Sequence, residues 1–441
     1  MLLSLAILSV HVPGSYTQDS LYTLNEALTT PVGQLNEWLS PAYASIWKAM
    51  ILVAAALHAS PFFQMSTMCV LQTLLIIGAL IRLLHSNSRM TWWGAAGVAA
   101  AVASWPAIFV YFGEVWRDVL MAALLLVAVG LLDSVRRRRS RGALVAAIGV
   151  LFLGGLMRQN AIAAEMPLFL WASLLWPCGE GMRKRRLCAM GMAAALTVGI
   201  AASIVMANRL LASTNVGRVT SATICYDLMG ISVRANALLV PRSLTVPEYT
   251  LLTVRSRYQD EYGDLTGVVF PSTGAEMKTL AAVWARAVVT HPTAYLQHRW
   301  SVTSRLLGIS GMPHLAYFYG IPQTYYPRYV SDRAYYVPFP DSGPRRWVAG
   351  RLARVRNWAF RPWIYGLMTI GVLLLDRKRV EAPFWLCASA GLYWVSFFFS
   401  APSTDFRYSW WGVLAVMTAL ALVGVRTAGG RPWAPGAPAD A

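Results

Sequence analysis

Apolar runs long enough to cross a lipid bilayer recur along most of this 441-residue chain. A helical span needs about 20 mostly apolar residues, and the runs are separated only by short polar turns and clusters of arginine. Only 13% of the residues are charged and the mean hydropathy is +0.48, whereas soluble domains carry about a quarter charged residues. An aromatic content of 12% is also wrong for a disordered chain. The pattern predicts an all-α polytopic membrane protein.

Ten apolar segments are candidate spans, some of them only when flanking residues are included. The first, residues 1–10, is too short alone and lacks the charged n-region and cleavage site of a signal peptide. We interpret it as the outer part of a first span and leave open whether its start is truncated. The shorter run Ile46–Leu57, with Lys48 and Pro61 beside it, favours a helix along the interface. The other candidate spans are Gln64–Leu84, Trp93–Phe112, Val119–Leu132, Ala143–Met157, Ala161–Trp176, Leu187–Met206, Pro362–Leu375, Pro383–Ser400 and Ser409–Val425.

Clusters of basic residues between the spans predict the orientation. Arg136–Arg139 with Arg141, Arg183–Arg186 and Asp376–Arg379 fall on one side, which the positive-inside rule makes cytoplasmic. Binding to anionic lipid is a sufficient role for these clusters. The other side receives the first loop, three short turns (Gly113–Asp118, Arg158–Asn160 and Ala401–Arg407) and the long segment Asn208–Arg356, which contains no span. We therefore expect an N-terminal module with the first periplasmic loop 11–60 and seven spans (1–206), a mixed, mostly helical periplasmic domain (207–356), a three-span module (357–426) and a disordered cytoplasmic tail (427–441).

Cysteine and charge content exclude several function classes. Five cysteines without a CxxC motif or a Cys/His cluster support neither a disulfide framework nor a zinc site. The net charge of +18 would suggest nucleic acid in a soluble protein. No soluble basic domain away from the membrane is predicted here, so we expect no nucleic-acid partner. Arginine far exceeds lysine and alanine is abundant, a composition that suggests a bacterial inner membrane.

Three outward-facing turns carry unusual carboxylates. Asp19 follows Pro13-Gly14 in the first loop, where a role as N-cap of a helix over 20–28 is favoured by the loop alone. Glu114 and Asp118 are four residues apart and would share a helix face at the membrane edge, where carboxylates are costly and often functional. Glu165 lies within an apolar run and would need a partner or a proton.

Further polar residues face the same side. Arg158 tops the fifth span, and the sequence PSTDFRYSWW places Asp405 and Arg407 just before the last span. The long external segment contributes Tyr226, Asp227, His298 and Arg299, followed by a Tyr/Pro-rich stretch over 320–340. Arginines suit phosphate oxygens, aromatics suit sugar faces or the bilayer interface equally, and a carboxylate can accept a proton from an attacking hydroxyl. Together these residues indicate group transfer from an anionic lipid to a hydroxyl acceptor.

At this point the chain resembles the bacterial polytopic glycosyltransferases of the GT-C superfamily, which use polyprenyl-phosphate sugars. The resemblance lies in PGSYTQDS with the following NEALT and EWLSP, in GEVWRDVLMA, in HPTAYLQHRW and in PSTDFRYSWW. These stretches are discontinuous, but they share one order and one predicted side. One departure is that Trp38 precedes Leu39-Ser40-Pro41 where many relatives have a histidine, so a metal or phosphate contact from that position is not expected.

The resemblance implies a GT-C-like bundle of about ten transmembrane helices with its active site facing the periplasm. It implies inverting transfer of a sugar from a polyprenyl phosphate to a cell-envelope glycan, lipid or protein, with Asp19 as general base and Asp118 or Glu114 as a second acid. Arg299 and Arg407 would bind the lipid-linked phosphate, and we group Arg158, His298, Asp405, Tyr226 and Asp227 with them as binding residues. Whether a divalent metal, Mg²⁺ or Mn²⁺, takes part stays open. The alternatives are an O-antigen ligase or polymerase and, ranked last because no repeat is visible, a lipid-linked glycan flippase or transporter.

Overall fold

The computed structural model describes residues 2–88, 90–176, 182–212, 218–314, 323–336, 343–375 and 381–428. Within these ranges the chain is all-helical, with isolated bridges between extended residues but no strand. The predicted helical class is therefore confirmed. The α-helices are α1 (Leu2–His11), α2 (Gln18–Thr29), α3 (Pro41–Ala56), α4 (Pro61–Asn87), α5 (Trp92–Ala103), α6 (Pro106–Phe109), α7 (Arg117–Arg138), α8 (Arg141–Met157), α9 (Ala161–Leu175), α10 (Met182–Leu211), α11 (Arg218–Ala235), α12 (Leu251–Arg257), α13 (Gly274–Thr290), α14 (Pro292–Leu306), α15 (Gly343–Ala359), α16 (Pro362–Leu375), α17 (Ala382–Ser400) and α18 (Trp410–Ala428).

Five helices are long and apolar enough to cross a membrane, namely α4, α7, α10, α17 and α18. Two bent pairs, α5 with α6 at 86° and α15 with α16 at 60°, bring the number to seven if each pair is one span. Pro106 and Pro362 begin the second helix of each pair, because proline fits the first turn of a helix but not its interior. The predicted spans in α1, α8 and α9 are shorter helices of 10, 17 and 15 residues. By length and composition, the described residues contain five to seven candidate spans, and the count of ten stays a prediction.

The main hydrophobic core is built around α7. In the most apolar part of α7, 83% of the residues are buried inside the protein, against 17% in α10. A helix that is hydrophobic all round is expected either in a core or against lipid. Helix α7 lies in the core, where α4, α8 and α18 pack around it. Helix α10 instead keeps apolar side chains such as Val198 on the outside of the protein.

A second, smaller hydrophobic core lies in the segment between α10 and α15. Side chains from α11, α12, α13 and α14 meet there, including Leu228, Val254 and Leu280, each fully buried. Helix α13 begins with a capping box in which Thr273 accepts a hydrogen bond from the Glu276 amide. These helices correspond to the central part of the predicted domain 207–356, while α15 packs on the main core.

The ends of α4, α7, α17 and α18 farthest from the first loop are joined by polar side chains. Asp133 accepts hydrogen bonds from Asn87 at 2.8 Å and Arg137 at 2.9 Å, and Arg426 pairs with Glu381. Part of the first basic cluster therefore holds helix ends together, a role beyond the predicted lipid contact. The cluster Asp376–Arg379 lies outside the described residues, as does nearly all of the tail 427–441.

Candidate functional site

The first loop and the turn before α7 are bound to each other by their backbones. The Ser15 amide donates to the Gly113 carbonyl at 2.6 Å, and the Val115 amide donates to the Ser15 carbonyl at 3.3 Å. Gly14 permits this approach, because it has φ +125° and a Cβ there would lie 2.6 Å from Cγ2 of Val115. Trp116 Nε1 also donates to Thr17 Oγ1 at 2.7 Å. Two loops that are about 100 residues apart in sequence therefore form one unit.

Asp19 is the second residue of α2, and its carboxylate binds an arginine from the far end of the chain. The N-cap of α2 is Thr17, whose amide donates to Ser20 Oγ at 3.2 Å, so the expectation that Asp19 caps this helix is wrong. Arg407 Nη1 donates to Asp19 Oδ2 at 2.6 Å, and Arg407 Nε lies 3.1 Å from Asp405 Oδ2. The structure thus brings together three of the predicted site residues.

Arg407 also sets the ionisation of Asp19. Burial by itself would raise the pKa of the Asp19 carboxyl, but the charge and hydrogen bond of Arg407 outweigh it, and the pKa lies below its usual value. The side chain of Asp19 is still 36% exposed. Its Oδ1 accepts no hydrogen bond from any described residue, so an ionised oxygen faces outward from the pair.

Asp118 and Glu114 differ in position, contrary to the expectation that they share one helix face. Asp118 lies in the first turn of α7 and forms an ion pair with Arg158, whose guanidinium also lies 4.3 Å from the centre of the Tyr408 ring. Glu114 precedes the helix and is fully buried, and among the described residues neither of its carboxylate oxygens has a hydrogen-bond partner. Burial raises the pKa of Glu114 well above its usual value. A protonated group in that position is a poor candidate for a base.

A narrow cleft opens at this junction; about 10 Å³ of it admits the centre of a water molecule, and the 240 Å³ of empty space around its lining atoms includes open solvent. Of the arginines that line it, Arg117 is the one without a carboxylate within ion-pair distance in the described chain, and it donates to the Trp38 carbonyl at 2.8 Å. Arg407 forms ion pairs with two carboxylates, those of Asp19 and Asp405, and Arg158 behind the cleft forms an ion pair with Asp118. Arg117 is therefore the cation best placed to meet an anion. The cleft is lined by Asp19, Ser20, Thr23, Leu39, Tyr43, Val115, Trp116, Arg117, Asp118 and Arg407.

Part of the Tyr/Pro-rich stretch packs on the first loop. Ser331 N and Oγ each lie 3.1 Å from Asn25 Oδ1, and the Tyr329 ring lies 5.4 Å from that of Tyr22. Tyr335 Oη donates to Gln64 at 2.5 Å. Tyr329 and Ser331 therefore pack on the loop that carries Asp19, and Tyr335 on α4. Residues 320–322 and 337–340 of the stretch lie outside the described residues.

Asp227, His298 and Arg299 form a separate buried network. Asp227 Oδ1 lies 2.7 Å from Arg299 Nη2 in an ion pair and 3.1 Å from His298 Nε2, while Oδ2 accepts a hydrogen bond from Trp284 Nε1 at 2.8 Å. All three predicted site residues are at most 1% exposed. Tyr258 Oη lies 2.9 Å from His298 Nδ1. Burial, only partly offset by Asp227, lowers the pKa of His298 and keeps the ring neutral at pH 7.

Tyr226 belongs to the same network rather than to the cleft. Its ring lies edge-on against His298 at 4.9 Å, and its hydroxyl donates to the Gln259 carbonyl at 3.0 Å. The structure therefore does not place Tyr226, Asp227, His298 and Arg299 where a phosphate in the cleft could reach them. The expectation that they bind phosphate there has no support from this geometry.

The network nevertheless touches the loop that carries Arg407. Arg299 Nη1 donates to the Ala401 carbonyl at 2.9 Å. The Thr404 amide donates to the Glu261 carbonyl at 2.9 Å, and the Phe406 amide donates to the His314 carbonyl at 2.8 Å. The helical segment 218–314 thus holds the loop from one side, while Asp19 binds its arginine from the other.

Glu165 lies apart from both clusters. It is fully buried in α9, and neither carboxylate oxygen has a hydrogen-bond partner in the described chain. Glycine at position 155 of α8 gives it room, since a Cβ there would lie 2.8 Å from Glu165 Oε2. Glu165 is predicted to need a partner or a proton, and no described side chain forms a hydrogen bond with its carboxylate.

The cleft does not have the donor set of a divalent-metal site. The described residues contain no group of three or more His, Cys, Asp or Glu side chains that could hold a metal ion. The carboxylates present, Asp19, Asp118 and Asp405, are each bound by an arginine. Because the arginines occupy the positions that a cation would take, the side chains of the cleft do not fit a divalent metal.

The sequence analysis did not identify Arg117, Trp116 or Tyr408 as members of the site. A signal for Arg117 existed, because it stands directly between the two carboxylates, Glu114 and Asp118, that were singled out. The guanidinium of Arg407 lies 4.8 Å from the Trp116 ring and 5.2 Å from the Tyr408 ring. No spacing pattern identifies the Trp116 contact, since it joins distant parts of the chain.

Comparisons with protein families, with curated proteins and with solved structures found no match to this chain.

Proposed function

We propose that the protein is a membrane glycosyltransferase that moves a sugar from a polyprenyl phosphate to a hydroxyl group of a cell-envelope acceptor. The observation that carries the proposal is the pairing of Asp19 with Arg407 beside Arg117 at one cleft. The cleft combines an ionised carboxylate with an arginine that has no carboxylate partner among the described residues. A transfer from a phosphate leaving group to a hydroxyl needs those two groups.

The chemistry is a single displacement. The acceptor hydroxyl oxygen attacks the anomeric carbon while Asp19 Oδ1 takes the hydroxyl proton. The bond from the anomeric carbon to the phosphate oxygen breaks, and the phosphate leaves with the bonding pair. Arg117 stabilises the charge that develops on the phosphate. One displacement inverts the anomeric centre, and proton and charge are both accounted for by these side chains.

The other cleft residues position these two groups. Arg407 binds Asp19 Oδ2 and keeps the carboxyl ionised at neutral pH. The Asp118–Arg158 pair fixes the first turn of α7, which carries Arg117. We propose that the cleft faces the periplasm of a bacterial inner membrane, in keeping with the basic clusters on the other side.

The decisive variant is Asp19→Asn in purified protein, assayed for sugar transfer from a polyprenyl-phosphate donor. Asparagine keeps the size of the side chain and can accept a hydrogen bond from Arg407, but it cannot take up the proton. We expect transfer to fall about 100-fold or more while the apparent unfolding temperature changes little.

Glu26→Gln is the matched control, because Glu26 lies on α2 seven residues after Asp19 but outside the cleft lining. Its transfer rate should match the wild type. Near-normal transfer by Asp19→Asn would remove Asp19 as base. If the wild type transferred no sugar from any such donor, the ligase or the transporter would replace this proposal, and the buried Glu165 is the observation that favours transport.

A further inference from the structure

Helix α15 carries five arginines and no acidic residue in the sequence GPRRWVAGRLARVRNWA. Its inner face packs on the main core through Val348, Leu352 and Val355. Arg345 is buried on the same face, and its Nη2 donates to Ser15 Oγ at 3.3 Å. The helix is therefore fixed against the first loop, at the cleft end of the bundle.

The outer face of α15 combines basic and aromatic side chains. Arg351, Arg354 and Arg356 are exposed, and none has a carboxylate within ion-pair distance in the described chain. Trp347 near the start of the helix is 64% exposed and Trp358 near its end is 47% exposed. Arg351, Arg354 and the two indoles lie on one strip of the helix, with the Arg351 guanidinium 5.1 Å from the centre of the Trp347 ring, and Arg356 is exposed on the other flank. Arginines without a carboxylate partner beside exposed indoles need a partner that offers both anionic and apolar contacts.

The next helix shows where the apolar contact comes from. Helix α16 follows α15 after a bend of 60° and exposes Leu367, Ile370 and Leu374, each by more than half. Such a surface is stable only against lipid or another apolar face. The acyl region of a bilayer around α16 would place its headgroup region beside α15. A basic helix with tryptophans on its outer face is typical of helices that lie in the plane of that interface.

We propose that α15 lies in the membrane interface and binds the phosphate groups of anionic phospholipids through Arg351, Arg354 and Arg356. Each arginine near an anionic membrane surface strengthens binding about five-fold. Trp347 and Trp358 insert at headgroup level at the two ends of the helix. This inference requires only that the protein lies in a membrane, so it does not depend on the glycosyltransferase proposal.

The test uses the full-length protein in a neutral detergent and phosphatidylglycerol as the probe, with phosphatidylcholine as the uncharged comparison. Bound lipids are counted by native mass spectrometry over a titration, and no activity assay is involved. The triple variant R351Q/R354Q/R356Q should bind phosphatidylglycerol at least about 10-fold more weakly than the wild type. Its binding of phosphatidylcholine should not change.

The matched control is R242Q/R255Q/R286Q, which removes the same charge from exposed arginines in the helical segment 218–314. It should bind phosphatidylglycerol as the wild type does. Equal losses in both triple variants would overturn the proposal, because net charge alone would then explain binding. A wild type that does not prefer phosphatidylglycerol would also overturn it, and an acidic protein would become the better partner for α15.

Two additional measurements test whether misfolding of the variant, or a site for free phosphate, explains the result. If the glutamine triple variant does not fold, R351K/R354K/R356K should fold and retain preference for phosphatidylglycerol, since lysine keeps the charge; loss of that preference would count against a charge-based site. Inorganic phosphate should not displace the lipid. Displacement would show a site for free phosphate and contradict binding at the interface.

Discussion

Two clusters of aspartate and arginine meet at the loop over 401–407, and they differ in what their arginines touch. In the cleft, Arg117 has no carboxylate partner among the described residues and Asp19 is 36% exposed. In the network, Arg299 is fully buried and bonded to both Asp227 and the Ala401 carbonyl. The comparison teaches that residue type alone does not predict whether such a cluster is open or closed. The two clusters differ in how completely their charges are paired and in their access to solvent.

The largest expected effect is on stability, from Arg299→Met. Removing one partner of a buried ion pair costs about 3–5 kcal/mol because a charge remains buried without compensation. The apparent unfolding temperature should fall on the order of 10 °C, and the remaining folded protein should transfer sugar. Thermal unfolding in detergent measures this. A variant that stays as stable as the wild type but loses transfer would place Arg299 in the reactive site and break the comparison.

Arg117→Met should have the opposite signature. A hydrogen bond between charged groups contributes about 1.5–3 kcal/mol, so kcat/KM for the polyprenyl-phosphate donor should fall about 10- to 100-fold. Stability should be nearly unchanged, because Arg117 has no carboxylate partner among the described residues and donates only to the Trp38 carbonyl. Steady-state kinetics with varied donor concentration measure the effect, with Arg117→Lys as the variant that keeps the charge. An unchanged kcat/KM in Arg117→Met would assign the phosphate to another group.

More of the cleft than of the buried network of Asp227, His298 and Arg299 could be predicted from the sequence. Asp19, Asp118 and Arg407 lie at the starts of helices or in the turn before one, all of which the topology sends to one side, so their proximity follows from the order of the apolar runs. The burial of Arg299 does not follow from that order, because it depends on how α11, α13 and α14 pack. Polar residues such as Asp227 look alike in a sequence whether they face solvent or each other.

Helix ends were predicted less well than helix class, for a related reason. Apolar composition predicts that a segment is buried in protein or lipid, but it does not predict the length that the fold gives it. Helix α7 continues into the arginines that bind Asp133, so its C-terminal end depends on side-chain partners, some of them from other helices. Glu114 was placed on α7, but the backbone contact between Ser15 and Gly113 holds it in the preceding turn.

The pH dependence of transfer sharpens the assignment within the cleft. Arg407 lowers the pKa of Asp19, so the wild-type carboxylate stays ionised, and active as a base, to lower pH. In Arg407→Gln this effect is lost, and the acid limb of the kcat/KM profile should move to higher pH. Profiles of both proteins measure the shift, with Arg286→Gln on α13 as the exposed control. An acid limb that does not move would mean that another group limits the reaction.

The smallest expected effect comes from the second carboxylate of α2. Burial raises the pKa of Glu26 to about 7, while the hydrogen bond from the Asn36 amide only partly offsets this, and no described arginine pairs with it. The same helix thus carries two carboxyl groups whose pKa values shift in opposite directions. The cause that lowers the pKa of Asp19, the charge and hydrogen bond of Arg407, has no counterpart among the causes at Glu26.

Because the pKa of Glu26 is raised in the folded protein, its ionisation opposes folding. Its contribution to stability is complete below the unfolded value of 4.5 and is lost as the pH rises towards 7. Glu26→Gln should therefore raise the apparent unfolding temperature by a few degrees at pH 8 and leave it nearly unchanged at pH 4.5. Thermal unfolding of both proteins at the two pH values measures the difference. If Glu26→Gln lowered the unfolding temperature equally at both pH values, the Glu26 carboxylate would have a cationic partner. Glu26 and Asp19 would then differ only in how exposed their side chains are.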